Sequence, residues 1–205
     1  MPESPTTFTV QFQLVGPLTR STFQRESPDA IFEGITDVLH WSWSTRAQID
    51  RFVKSLHAEL NWEGRTRLEQ QRRSSLASYD EHLFLIAAAN LDRALDAAPR
   101  PIKRVIALPR RSRRALHLLR NIYEHWDELR RCYRKGTEDT NPAAQKLRKE
   151  FPEANPWTSS IDPAKGEIII ANTISLKPFT KELRHLEARM HQLERQHQRE
   201  GRTNP

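Results

Sequence analysis

The chain reads as a mainly α protein, an antiparallel helical bundle with a small β-hairpin or sheet and a long C-terminal amphipathic helix. Three stripes point there. Ala115, Leu119, Ile122, Trp126, Leu129 and Tyr133 recur at alternating spacings of four and three, the mark of one buried helical face. Leu83, Phe84, Ile86, Ala87, Leu91, Ala94 and Leu95 form a second stripe. Phe179, Leu183, Leu186, Met190, Leu193 and His197 follow the a/d seam of a coiled coil over 177–200.

Taken in order, Phe8, Val10, Phe12 and Leu14 alternate with polar residues, the period of a strand with one buried face. Residues 16–44 hold Pro17, Pro28 and Gly34 among scattered aromatics and read as a wrapped connection whose aromatics pack on the bundle. Thr45 with Gln48 resembles a capping box and opens the first long helix, carried by Ile49, Phe52, Val53, Leu56 and Leu60. A kink or stop is expected at Gly64, followed by a polar, more helical than looped stretch through Arg72 and Arg73. Ser78 with Glu81 repeats the capping pattern and starts the second helix, in which Ala87, Ala88 and Ala89 allow a neighbouring helix close approach. The acids Asp80 and Glu81 beside His82 suit the positive end of that helix; a metal-ligand set or a second catalytic His is the sharper alternative.

After a turn between Pro99 and Pro109 comes the helix bearing the first stripe, giving a bundle core at about 45–135. Gly136 and Pro142 mark a loop, and 143–151 make one short helix. Residues 157–161 and 167–174 are β-prone runs flanking Gly166, a hairpin within about 156–175 that the Phe8–Leu14 strand can join. The seam over 177–200 packs on its own bundle or pairs with a partner.

At 205 residues, with 37% hydrophobic content, one domain spanning 1–205 is the natural count. No apolar run is long enough for a membrane span, and the opening residues lack a basic region followed by an apolar core, so a cytoplasmic protein without a membrane partner is expected. The single Cys132 excludes an internal disulfide, a thiolate metal site and a redox pair. A net charge of +7 favours a polyanionic partner such as RNA, although charge alone does not choose between RNA and DNA. DNA binding ranks last, for want of a helix-turn-helix. There is no phosphate-cradling Gly loop, nucleophile elbow or His-Glu-x-x-His zinc motif, and the Glu182/His185 and Glu194/His197 pairs lack the additional inward Glu residues that a bundle metal centre requires. No metal or cofactor is therefore expected.

The residues richest in chemistry lie on the motif helix. His117, Asn121 and His125, each four apart, and Glu128 form a polar row beside the core stripe. Upstream, Lys103, Arg104, Arg110, Arg111, Arg113 and Arg114 accumulate with no acid from Ala97 to Tyr123, resembling an electrostatic funnel for RNA. The sequence Arg120-Asn121-Ile122-Tyr123-Glu124-His125 resembles the motif of the HEPN superfamily (higher eukaryotes and prokaryotes nucleotide-binding), whose ribonuclease members carry an Arg, four to six residues, then a His, often with a polar residue directly after the Arg. The same loose spacing recurs at Arg51/His57, Arg110/His117, Arg111/His117 and Arg184/His191; Asn121, the amphipathic helix and the basic run distinguish Arg120/His125. The resemblance covers about 45–133.

That resemblance implies a HEPN-like bundle and a metal-independent endoribonuclease, the toxin of a bacterial toxin–antitoxin or phage-defence system, acting as a homodimer with an antitoxin protein as a further partner. Arg120 would stabilise the phosphate, His125 would move the proton, and Asn121 would orient one of them. Some toxin members carry a Tyr two residues after the His as a nucleotidylation target; this chain has Asp127, which removes that route. Two plainer readings stand beside it. Arg120 can pair with Glu124 on the helix surface, worth a few tenths of a kcal/mol, and the whole chain can be a non-catalytic module that dimerises through its C-terminal helix and binds RNA or protein.

Overall fold

The computed structural model describes residues 13–14, 28–61, 63–64, 66–103, 106–107, 110–124, 142–155, 159–162 and 166–203. Within them β1 (Gln13–Leu14), α1 (Pro28–Leu60), α2 (Arg67–Ala97), α3 (Arg100–Lys103), β2 (Ile106–Ala107), α4 (Arg110–Glu124), α5 (Pro142–Glu150), β3 (Ser159–Asp162), β4 (Glu167–Ile170), β5 (Ile174–Ser175) and α6 (Leu176–Thr203) follow in order. The protein is mainly helical, with a small antiparallel sheet, as the periodicities predict.

The first helix starts well before Thr45. Pro28 occupies its first position, where a missing N–H costs nothing, and Asp29 lies in the first turn. Ile31, Ile35, Val38, Leu39, Ile49, Phe52 and Leu56 then line one buried face, so the segment expected to be a wrapped connection is helix from 28 onward. Thr45 caps nothing: it is fully buried and its hydroxyl donates to the Trp41 carbonyl at 2.6 Å, one turn back. Of the aromatics expected to pack on the bundle, Trp41 packs against the core, whereas Phe32 and Trp43 are exposed.

Ser78 is likewise no helix start. The second helix begins after Thr66, whose backbone is extended (φ −112°, ψ 131°) and whose hydroxyl donates to Glu69 Oε2 at 3.1 Å. Residues 67–77 are thus helical, as expected, and Asp80 and Glu81 lie three turns inside the helix, where its dipole gives them no support. Ser55 of α1 meets Asp80 of α2, and Gly34 of α1 meets Pro99 just past α2, so the two helices run antiparallel. Buried Ala87, Ala88 and Ala89 keep α2 slim along its core side.

Asp92 of α2 meets Arg113 and His117 of α4, while Glu81 meets Tyr123, which makes α4 antiparallel to α2. Of its stripe, Ala115, Leu119 and Ile122 are inaccessible, as is Leu116 beside them, while Trp126, Leu129 and Tyr133 lie outside the described residues. On the other side of α1, Glu187 of α6 accepts hydrogen bonds from Ser42 and Arg46, and His191 lies against Trp43, so α6 is antiparallel to α1. The seam residues Phe179, Leu183, Leu186, Met190 and Leu193 are buried within this one chain. Phe179 meets Phe84 of α2 edge to face at 5.7 Å.

The hairpin forms where expected. β3 pairs with β4 in register Ser160↔Ile169, and Gly166 at φ +58° serves the turn. β4 then folds onto β5 through Ala171 and Asn172, both at positive φ, with the Thr173 N–H donating to the Ile170 carbonyl at 2.9 Å; this tight turn has the backbone signs of type I′. Of the predicted N-terminal strand only Gln13 and Leu14 are among the described residues, and these two do not join this sheet. They pair instead with Ala107 and Ile106 of β2 in a separate two-stranded ladder. No helix among the described residues is long and apolar enough to cross a membrane.

Candidate functional site

Four carboxylates are buried among the described residues: Asp80, Glu81, Asp92 and Glu187. A buried carboxylate needs a cation or several donors to offset its lost hydration. Asp80 has Arg51 at 3.0 Å and Ser55; Asp92 has Arg113 at 2.7 Å and His117 at 2.9 Å; Glu187 has Arg46 at 2.9 Å and Ser42 at 3.1 Å. Each of these three pins α2 or α6 to a neighbouring helix.

Glu81 is different. Its Oε1 accepts from the Tyr123 hydroxyl at 2.5 Å and its Oε2 from Ser159 Oγ at 2.9 Å, so α2, α4 and β3 converge on it with, among the described residues, hydroxyls alone. Burial pushes its pKa from 4.5 up to about 7, the two hydroxyl donors pulling back only partly. Tyr123 is held well above the ordinary phenol range by its own burial and by the Glu81 charge. The pair therefore keeps the phenol protonated while the carboxyl exchanges its proton near neutrality.

His82 adjoins Glu81 and tilts against the Tyr123 ring at 5.8 Å. Its Nε2 is buried and has no hydrogen-bond partner among the described residues. Burial lowers its pKa; Glu124 opposes that effect and Arg120 adds to it, which places both charged side chains of α4 within electrostatic reach of the ring. Glu81, His82 and Tyr123 line one end of a cleft of about 1040 Å³ that runs along the N-terminal half of α2 to Glu59 of α1.

The motif residues fall beside this cleft. Arg120 is largely buried and grips Glu124 Oε1 through Nε at 2.8 Å and Nη2 at 2.5 Å, the pairing anticipated by the plainer reading of the sequence. Asn121 is exposed on α4, and His125 lies outside the described residues. In the basic run, Arg110 and Arg111 fall in the first turn of α4, Lys103 is exposed at the end of α3, and Arg104 lies outside the described residues. Arg113 is drawn onto Asp92 and Asp96, and Arg114 forms a bidentate pair with Glu150 of α5 that holds the Glu150 carboxyl below its usual pKa. For Arg113 and Arg114, the acids missing from 97–123 in sequence are thus supplied by α2 and α5.

Sequence reasoning singled out His82 but explained Glu81 as a helix-end acid and gave Tyr123 no role. Glu81, Ser159 and Tyr123 come from three separate segments, so only the fold joins them; the one local signal was an acid next to a His in a region readable as one continuous helix. No family model, curated protein or solved structure matches the chain.

Proposed function

We propose that the chain is a HEPN-type, metal-independent endoribonuclease acting at the C-terminal end of α4, in keeping with a toxin or phage-defence role and an antitoxin partner. The observation that carries this reading is the placement of Arg120: a largely buried guanidinium, fixed by Glu124 and within electrostatic reach of His82, five residues before His125 in sequence. A phosphate oxygen entering there competes with Glu124 for the planar fork of Arg120. His125 takes the proton from the ribose 2′-hydroxyl, the 2′-oxygen attacks phosphorus, and the bond to the 5′-oxygen breaks as that oxygen gains a proton. Arg120 stabilises the charge on the pentacovalent phosphate and Asn121 orients the reacting groups. The products are a 2′,3′-cyclic phosphate and a 5′-hydroxyl.

The second reading, a non-catalytic RNA- or protein-binding module, is favoured by one specific fact: Arg120 is already satisfied by Glu124. Incubating the purified protein with total RNA in excess EDTA separates the two. Cuts ending in cyclic phosphate, lost in His125→Ala and Arg120→Ala while both variants stay folded, support the ribonuclease. Absence of cutting by the wild type, or equal cutting by the variants, leaves the binding module.

A further inference from the structure

The cleft that ends at Glu81 and His82 is lined along its length by side chains that carry hydrogen-bonding groups. Gln70 and Gln71 present amides, Glu59 a carboxylate and Arg67 a guanidinium. Arg67 has no acid partner among the described residues, in contrast to Arg113 and Arg114. Into the same cleft projects Tyr79, more than half exposed, and a large aromatic held in water on a helix is an available stacking face. An aromatic face, amides, a carboxylate acceptor and a cation without an acid partner among the described residues are groups that bind a splayed-out base with its phosphate.

We propose that this cleft takes an unpaired nucleotide of single-stranded RNA, its base against Tyr79, its edge read by Gln70, Gln71 and Glu59, and its phosphate at Arg67. The inference rests on RNA being the substrate, as proposed above, and adds where the strand lies and what selects it. Glu59 repels a phosphate but accepts from exocyclic amino groups or the guanine edge, so the cleft discriminates among bases instead of binding polyanions uniformly. His82, with its unpartnered Nε2 at the cleft end nearest Arg120, is the donor or acceptor that meets the nucleotide on the scissile side.

Fluorescence anisotropy with 5′-labelled RNA hexanucleotides, one homopolymer per base, tests this on the His125→Ala protein, in which the probe stays intact. Tyr79→Ala is expected to weaken binding of the preferred hexamer about tenfold, the loss of one stacked base, with Tyr79→Phe within about twofold of the parent. Since Tyr79 is exposed, both variants should keep the parent's thermal midpoint. A duplex of the same sequence is expected to bind at least about tenfold more weakly, because its bases are unavailable to the ring. Equal binding by Tyr79→Ala, equal loss in Tyr79→Phe, equal affinity for the duplex, or no hexamer binding overturns the proposal. If total RNA is cut with unchanged base preference by Tyr79→Ala, the cleft assignment fails while the ribonuclease stands. If hexamers bind in a Tyr79-dependent way but the wild type cuts nothing, the cleft stands and the ribonuclease fails.

Discussion

The Tyr123 hydroxyl donates to Glu81 Oε1 at 2.5 Å on the opposite side of the carboxyl from Ser159, and among the described residues this buried acid lacks the cation that Asp80, Asp92 and Glu187 each possess. Three elements are tied together through a group whose charged form is unwelcome.

The consequence is a pH-dependent cost. Burial raises the folded-state pKa of Glu81 from 4.5 to about 7, so between these values the folded protein binds more protons than the unfolded chain and stability falls as pH rises. The contribution is fully favourable below the unfolded value and fully lost above the folded one, on the order of 3 kcal/mol across the window. Glu81→Gln keeps the shape and removes the titration. Denaturant midpoints at pH 5 and pH 8 should therefore converge in the variant relative to wild type; an unchanged difference would mean that Glu81 stays ionised throughout.

Gly34 sets how closely α1 approaches the end of α2. A Cβ there would stand 2.5 Å from Pro99 Cδ and 3.0 Å from Ile102 Cδ1, and a proline ring has little freedom to yield. Alanine gains about 1 kcal/mol of helix propensity, but overpacking costs about 1–3 kcal/mol, so Gly34→Ala is expected to be net destabilising. Adding Pro99→Ala should recover part of the loss. Additive losses in the double variant would show that the contact is not the cause.

The stripes on α4 and α6 were legible because a single face repeats at helical spacing, and the hairpin because Gly166 sits between two β-prone runs. The start of α1 was not, since Pro28, Gly34 and exposed aromatics resemble loop punctuation until Ile31, Ile35 and Val38 are seen to continue the face that Ile49 and Phe52 share. Thr45 and Ser78 mimicked caps because a capping box is a four-residue pattern, whereas hydroxyls inside helices also bond back one turn, as Thr45 does to Trp41. The pairing of Glu81 with Tyr123 and Ser159 joins residues 42 and 78 positions apart, a distance over which local pattern carries no information.

The fate of the basic run can be checked at Arg113. Its guanidinium meets Asp92, whose side chain is 3% exposed, so Arg113→Met leaves that acid with His117 as its ionisable partner and should cost about 2 kcal/mol of stability. A phosphate-binding arginine would instead reduce the salt dependence of RNA affinity by about one unit of log-log slope. The expected result is lower stability with the slope unchanged. A shallower slope at wild-type stability would assign Arg113 to the RNA.

The seam of α6 decides what kind of assembly is open to the protein. Leu186 and Met190 are 1% and 0% exposed without any second chain, so this face cannot also hold a partner unless α6 leaves α1 and the sheet. Leu186→Ala should lower stability by about 2–5 kcal/mol, as for a buried Leu truncated in a packed core. The variant should leave any dependence of the unfolding midpoint on protein concentration as it is in the wild type, because no subunit contact is lost. A midpoint that rises with concentration in the wild type and loses that dependence in Leu186→Ala would place the seam between two copies. If light scattering finds a dimer and the midpoint of Leu186→Ala still rises with concentration as the wild type's does, the pairing surface lies elsewhere, and the α4 face that carries Arg120 is the one to test next.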